Sequence, residues 1–352
     1  MREPSLANVA QLSEFDEIID VRSETEFHDD HVTNALNCPV LSDAERARVG
    51  TIYKQVSPFE AKKIGAALVS ANIARHIDAH FLKRPRTWRP LVYCWRGGER
   101  SGAFAHVLAQ VGWQVGRLDG GYRAYRRAVI SGLGALPERF RWRVICGLTG
   151  TGKSRLIRAL QDAGCQVLDL EALAAHRGSV LGDLPGSAQP PQKLFESRIW
   201  STLNECDTSR PVFVEAESRK VGGLRVPETL IDAMWKSECV VLQAPLPVRV
   251  ALLKEEYAHF LDQPENLIAK LECLTPLHGR GVIDCWRDLA LSRRWDELTE
   301  DLLVKHYDPA YSRAIAKHYP MLSSALKLDA RSAQEREFHG LARRCLDAEK
   351  SR

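Results

Sequence analysis

The chain has 352 residues, 45% apolar and 27% charged, with a net charge of +4. That balance suits two globular domains with their own cores and excludes bulk disorder. No run approaches the roughly 20 apolar residues that span a bilayer. The opening Met1-Arg2-Glu3-Pro4-Ser5 has no apolar stretch behind it, so a cytoplasmic protein with no membrane partner is expected.

In chain order, residues 18–22 read as a strand and 58–80 as a helix. Residues 91–93 form an apolar run that meets a glycine-bearing loop and then a helix over 101–111. Residues 131–137, rich in small side chains and without periodicity, mark the expected domain boundary, with one domain over 1–134 and another over 138–352. A second strand–loop–helix unit follows, with its strand at 144–146 and its helix at 153–163. Further strands are expected at 166–169, 212–215 and 240–242. Such alternation implies α/β domains with parallel sheets covered on both faces. From about residue 249 helical spacing dominates, which predicts a helical C-terminal extension.

Nine cysteines are scattered without a C-x-x-C pair, which argues against a disulfide framework and a structural zinc site. No metal ligands are assigned. Cys38, Cys146, Cys165, Cys206, Cys239, Cys273, Cys285 and Cys345 lie in apolar or helical contexts and read as small buried hydrophobes.

Cys94 is different. In Tyr93-Cys94-Trp95-Arg96-Gly97-Gly98-Glu99-Arg100-Ser101 it ends a strand and faces the start of a helix, whose positive end favours the thiolate. Gly97 and Gly98 let the backbone curl into an anion cradle, and Arg96 and Arg100 supply charge. The combination is a nucleophile beside an anion pocket. Around it, Asp20-Val21-Arg22, Glu26-Phe27, His31-Val32, Ala35-Leu36-Asn37-Cys38-Pro39 and Leu118-Asp119-Gly120-Gly121 resemble the rhodanese family over residues 8–130. The resemblance implies sulfur or selenium carried on Cys94. Rhodaneses place four residues between this cysteine and the arginine, whereas five separate Cys94 from Arg100. Five is the spacing of cysteine-dependent phosphatases, which usually have histidine where this chain has Tyr93. A larger loop admits a larger anion.

Gly147-Leu148-Thr149-Gly150-Thr151-Gly152-Lys153-Ser154 fits the phosphate-loop pattern G-x-x-x-x-G-K-[ST] in full. The backbone N–H groups of Gly147, Thr149, Gly150, Thr151 and Gly152 wrap a phosphate, Lys153 balances its charge, and Ser154 can reach Mg2+. Glu215 or Glu217, closing the strand at 212–215, falls near the metal position of such folds, or forms a plain salt bridge. His176 and Arg177, before Gly178-Ser179, suit either a ligand contact or a helix C-terminus. Such a loop recognises a polyphosphate without proving nucleotide hydrolysis. Three readings of the pairing stay open here: a sulfur or selenium transferase, a rhodanese-fold cysteine phosphatase fused to a nucleotide-binding domain, and a nucleotide switch.

The joint pattern is similar to the tRNA 2-selenouridine synthase family nearly end to end. Besides the two loops it rests on Pro39-Val40-Leu41-Ser42-Asp43, Gly50-Thr51-Ile52-Tyr53-Lys54-Gln55, Leu170-Glu171, His176-Arg177-Gly178-Ser179, Glu217-Ser218-Arg219-Lys220 and His306-Tyr307-Asp308-Pro309. The resemblance implies an N-terminal rhodanese-like parallel-sheet domain, then a P-loop NTPase-like α/β domain with a helical C-terminal region. It implies a transferase acting on tRNA with wobble 2-thiouridine, which geranylates the sulfur from geranyl diphosphate and then replaces it with selenium from selenophosphate. It leaves room for a selenophosphate supplier as partner and needs no tightly bound cofactor. Lys153 and the loop amides would stabilise the leaving diphosphate, with Arg219 and Lys220 assisting. Cys94, Arg96 and Arg100 would hold selenophosphate or carry its selenium. Arg293, Arg294, Lys305 and His306 are candidate tRNA backbone contacts. Trp286, Trp295 and Tyr307 either stack on anticodon bases or fill the core.

Overall fold

The computed structural model describes residues 3–96 and 98–350. The chain divides into two compact units, Met1–Leu133 with Pro190–Ser201, and Gly134–Gln189 with Thr202–Arg352. The return of Pro190–Ser201 to the first unit has no signal in the local sequence.

In the first unit, among the described residues, β1 (Ser5–Ala7), β2 (Glu17–Asp20), β3 (Leu36–Asn37), β4 (Pro90–Tyr93) and β5 (Gly116–Leu118) form a parallel sheet in the order β1-β5-β4-β2-β3. β4 lies in the middle and all four of its residues are buried, as expected of an apolar run flanked by strands and covered by helices. Beside it, Asp20 and Arg22 form a buried ion pair. Arg22 Nε donates to Asp20 Oδ1 at 3.0 Å, Nη2 donates to the Asp30 carbonyl at 2.7 Å, and the guanidinium lies 4.1 Å from the Tyr122 ring centre. These partners replace the water that a buried charge loses.

In the second unit, β6 (Trp142–Cys146), β7 (Gln166–Leu168), β8 (Val212–Glu215), β11 (Glu238–Gln243) and β12 (Leu326–Asp329) form another parallel sheet, in the order β12-β11-β6-β8-β7. An antiparallel ribbon of β9 (Lys220–Val221) and β10 (Leu224–Arg225) stands apart from it. β6 is the middle strand.

Two expectations are corrected and one is refined. Residues 131–135 are the last turn of helix Gly121–Ala135. Of their two glycines, Gly132 serves packing: a Cβ there would lie 2.2 Å from Trp200 Nε1. The C-terminal third is helical as expected apart from β12, which completes the sheet edge. Helix Glu335–Lys350 then packs Phe338, Leu341, Ala342 and Cys345 into the core shared with Leu156 and Leu160. Before β12, short helices enclose a separate core around the fully buried Trp286. Finally, Cys273 and Cys285 are exposed. Helix Arg280–Leu291 turns Ile283, Trp286 and Ala290 inward, which leaves Cys285 on the outer face. None of the nine cysteines is in a disulfide. Among the described residues, no helix is long and apolar enough to cross a membrane.

Gly132→Ala should lower stability by about 1–3 kcal/mol through overpacking against Trp200. Gly134→Ala, where a Cβ meets nothing within 4 Å, should be neutral or stabilising. Thermal unfolding of the two variants side by side checks both signs.

Candidate functional site

Each unit places one loop at the carboxyl end of its middle strand, where open α/β sheets present ligand sites. Cys94 follows β4. Helix Gly121–Ala135 grips the loop from behind, with the N–H of Tyr122 donating to the Cys94 carbonyl at 2.8 Å and that of Arg123 to the Trp95 carbonyl at 3.1 Å. The Asp119-Gly120-Gly121 stretch therefore acts by aiming a helix N-terminus. The Cys94 thiol is buried, and its Sγ accepts from the Ser101 hydroxyl at 3.3 Å. Burial alone pushes the thiol up. The Ser101 hydroxyl and N–H, the Arg96 N–H and the Arg100 charge outweigh it, and the thiol ends below the ordinary cysteine range.

Arg100 is paired with Glu26 of helix Glu24–Asp29, Nη1 to Oε2 at 2.9 Å. Although burial opposes it, this pairing holds the Glu26 carboxyl below its usual range. The arginine is thus oriented by a carboxylate that sequence reasoning noted only as part of a family pattern. Trp95, Arg96 and Gly98 are exposed around the thiol, and Trp95 leans on Tyr122 with ring centres 5.2 Å apart. Gly97 lies outside the described residues.

The phosphate loop follows β6 and enters helix Lys153–Asp162 through Gly152 at φ +87°, where a Cβ would meet the Phe338 ring at 2.5 Å. Thr151 donates its hydroxyl to the Leu148 carbonyl at 2.9 Å, and Lys153 Nζ donates to the Gly147 carbonyl at 3.0 Å. The Gly147 N–H donates to the Tyr311 hydroxyl at 2.6 Å. Arg249, itself buried, braces the loop from below. Its Nε donates to the Thr149 carbonyl at 2.8 Å, while Nη1 and Nη2 fork onto Asp308 at 2.9 and 2.6 Å. The His306-Tyr307-Asp308-Pro309 stretch thus reaches the loop through Asp308. Gly150 completes the turn against Leu253.

Ser154 donates to Glu171 Oε2 at 3.0 Å. Glu171, Glu215 and Glu217 each bring a carboxylate oxygen to within 4.8 Å of the others. Glu215 is fully buried, and among the described residues neither of its oxygens has a hydrogen-bond partner. Burial, then the nearby Glu171, pushes its carboxyl well above the usual range, and the same causes push Glu217 up to about 8. Gly178, at φ +68°, gives the cluster its room: a Cβ there would lie 2.9 Å from Glu217 Oε1 and 3.1 Å from Glu171 Oε1. Sequence reasoning placed Glu215 and Glu217 near a metal position but did not assign Glu171 or Tyr311.

Lys153, Ser154, Glu171, Arg177, Glu217, Arg219 and Lys220 all line one cavity of about 1130 Å³ in the second unit. Arg177 stacks over the Tyr257 ring at 4.8 Å, and its Nη1 is buried with no hydrogen-bond partner among the described residues. His176 lines the cavity too, but its ring is committed. Nε2 lies 3.2 Å from Asp183, Nδ1 accepts the Gly178 N–H at 3.1 Å, and burial lowers its basicity. An apolar recess of about 70 Å³, lined by Leu181, Phe260, Leu267, Trp295 and Leu298, shares Thr149, Leu253, Tyr257 and Tyr307 with the large cavity.

The proposed tRNA contacts fare unevenly. Trp286 is a core residue whose Nε1 donates to Asp301 at 2.7 Å. Trp295 and Tyr307 line the recess. Arg294 pairs with Glu297, Lys305 with Asp301, and His306 Nδ1 lies 2.9 Å from His278 Nε2.

Fold and loops define a rhodanese-like domain joined to a P-loop α/β domain. The family models agree: one for a rhodanese-like domain matches residues 5–128, and one for the tRNA 2-selenouridine synthase AAA domain matches residues 140–271. A tRNA 2-selenouridine synthase of Aeromonas salmonicida is 33% identical over 323 residues, 84% of this chain and 86% of its own. That of Nitrosomonas europaea is 36% identical over 247 residues, and the match covers 68% of this chain and 63% of the relative. Among solved structures, a rhodanese-related protein from Thermoplasma volcanium covers 35% of this chain and 91% of its own at 18% identity, with a TM-score of 0.23. The chain belongs to the tRNA 2-selenouridine synthase family.

The rate of iodoacetamide labelling of Cys94 should reach its half-maximum at a lower pH than that of an ordinary cysteine, because its thiolate forms earlier. Ser101→Ala removes a donor to the thiolate, so the midpoint of the rate-against-pH curve should move upward. Peptide mass spectrometry across pH checks both the site and the direction.

Proposed function

We propose that the chain is a cytoplasmic tRNA-modifying transferase that geranylates the sulfur of a wobble 2-thiouridine and then exchanges it for selenium from selenophosphate. The observation that carries the first step is the apolar recess beside the phosphate loop. Amides and Lys153 suit a diphosphate, and Leu181, Phe260, Leu267 and Leu298 suit a hydrocarbon. An allylic diphosphate has both parts; a nucleoside triphosphate has only the first.

In that step the uridine sulfur bonds to the first carbon of the geranyl group as its bond to diphosphate breaks. Negative charge grows on the departing oxygen, which Lys153 and the loop amides are aimed to receive. Arg177, Arg219 and Lys220 add positive charge around the same cavity. A magnesium ion fits the donor set: the orphaned Glu215 oxygens, Glu171, Glu217 and the Ser154 hydroxyl are hard oxygen ligands. When bound, Mg2+ would offset charge on the diphosphate.

S-alkylation turns the ring sulfur into a better leaving group. The selenium of selenophosphate bonds to the ring carbon as the carbon–sulfur bond breaks and geranyl thiol departs. The selenium–phosphorus bond is then cleaved by phosphoryl transfer to a nucleophile. Cys94, kept reactive by Ser101 and the loop amides, would hold selenophosphate with Arg96 and Arg100 and act as the nucleophile that takes the phosphoryl group, which water then removes as phosphate. An anion arriving there competes with Glu26 for Arg100, which favours a polyvalent group. Selenophosphate is one. A selenophosphate-supplying protein would then be a transient partner.

Nucleoside mass spectrometry of thiolated tRNA tests the scheme. Geranyl diphosphate alone should yield geranylated thiouridine, and adding selenophosphate should yield selenouridine. Lys153→Ala should cut geranylation at least 100-fold, while Cys94→Ser should spare geranylation and abolish selenation. Selenouridine at the normal rate from Cys94→Ser would remove the nucleophile from the scheme. Neither product from folded protein would overturn the function.

A further inference from the structure

Away from its cysteine loop, the first unit gathers a second set of metal-ligating side chains. Cys38 follows β3 and is fully buried, His76 ends helix Pro58–His76, and His80 lies in the wide helical turn Ile77–Phe81. Each offers one ligand atom, and the three atoms lie within 4.8 Å of one another. We infer that Cys38, His76 and His80 form a binding site for a thiophilic transition-metal ion of the zinc class.

Donor chemistry sets the class. One thiolate and two imidazoles suit zinc or a similar borderline-soft ion and discriminate against magnesium and calcium, which take oxygen ligands. Three protein ligands leave the fourth tetrahedral position on the exposed His80 side for water or another small ligand. In a tetrahedral zinc site, ligand atoms about 2.0–2.3 Å from the ion lie roughly 3.3–3.7 Å apart. The observed spread therefore closes with a small rotation, which the exposed His80 can make.

Local backbone geometry favours the arrangement. The turn Ile77–Phe81 is a π-helical turn, a rare feature that recurs at functional sites. It sets the two imidazoles nearly parallel, 20° between planes, with centres 6.0 Å apart. His76 is already oriented, because its Nε2 hydrogen bonds the carbonyl of Pro39, the residue after Cys38, at 3.0 Å. Backbone carbonyls commonly serve metal-bound histidines in this way. Phe81 and Phe104 pack edge to face beneath, 6.2 Å between centres, so the turn rests on a rigid floor. Zinc here would tie the edge strand β3 to the end of a helix on the same unit. Sequence reasoning set zinc aside for lack of a C-x-x-C pair. This set is separated by 38 residues in the chain, from Cys38 to His76, and only folding assembles it.

Cobalt(II) is the spectroscopic probe, added to chelator-treated full-length protein. One equivalent should produce the visible bands of tetrahedral cobalt together with a thiolate-to-cobalt charge-transfer band in the near ultraviolet, and zinc should displace both. Cys38→Ser should abolish the charge-transfer band, whereas Cys94→Ser should leave it intact. His80→Ala, at an exposed position that leaves folding undisturbed, should weaken cobalt binding at least tenfold and remove the zinc-dependent rise in melting temperature. Cobalt bound without a thiolate band, a band that survives Cys38→Ser, or unchanged affinity in His80→Ala would each overturn the assignment. Magnesium at the glutamate cluster gives neither signal, so the outcome is independent of the reaction scheme.

Discussion

A parallel strand that turns into a helix leaves the first amides of that helix without carbonyl partners, and both loops of this protein are built on that constraint. Neither the strand behind nor the sheet beside can satisfy those N–H groups, so an anion can. Around Cys94 the amides of Arg96 and Ser101 turn toward sulfur and favour the thiolate. In the second unit the same geometry opens onto the cavity that Thr149, Gly150 and Gly152 line, with Lys153 at the first helical position. The chemistry differs because one loop carries its own anion and the other must receive one.

Neither loop holds its shape alone. The cysteine loop hangs from the first amides of helix Gly121–Ala135, and that helix is tied back through Tyr122, whose hydroxyl donates to buried Asp30 at 2.8 Å. The phosphate loop rests on Arg249, whose fork is filled by Asp308 from far along the chain. Backbone amides in the first case, anchored by the Tyr122–Asp30 bond, and the buried Arg249 side chain in the second fix loop carbonyls rather than a ligand. Replacing such a residue would leave its partner charge stranded, and the loop would lose its aim along with its stability.

The parallel sheets, the two strand–loop–helix units and the residues of both loops were legible because each is a local pattern: an apolar run, glycines at a turn, then helical spacing. What escaped depends on chain returning from a distance. Glu171 stood in the sequence as half of a Leu-Glu pair, and nothing local set it beside Ser154 and Glu215. Tyr311 and Asp308 sit more than 150 residues after the loop they serve, and β12 looks like a pause within a helical tract. The glycines at 132 and 134 read as a linker, since only the placement of Trp200 shows that one of them is a contact surface. Five residues between Cys94 and Arg100 announced a wider loop, but not that Glu26 would already hold the arginine.

The phosphate loop also keeps its own company. Lys153 is folded onto the Gly147 carbonyl, and the Gly147 amide is given to Tyr311. A ligand that claims both groups must first break two internal hydrogen bonds, each worth about 0.5–1.5 kcal/mol net. Together they set a threshold of about 1–3 kcal/mol, or roughly 5- to 150-fold in affinity. A lone inorganic phosphate, with few contacts to offer, is held back by that threshold. A diphosphate attached to an apolar chain can overcome it from the far end, where no bond has to be broken. On the proposed reading, the loop would rank ligands by what they carry beyond the phosphates.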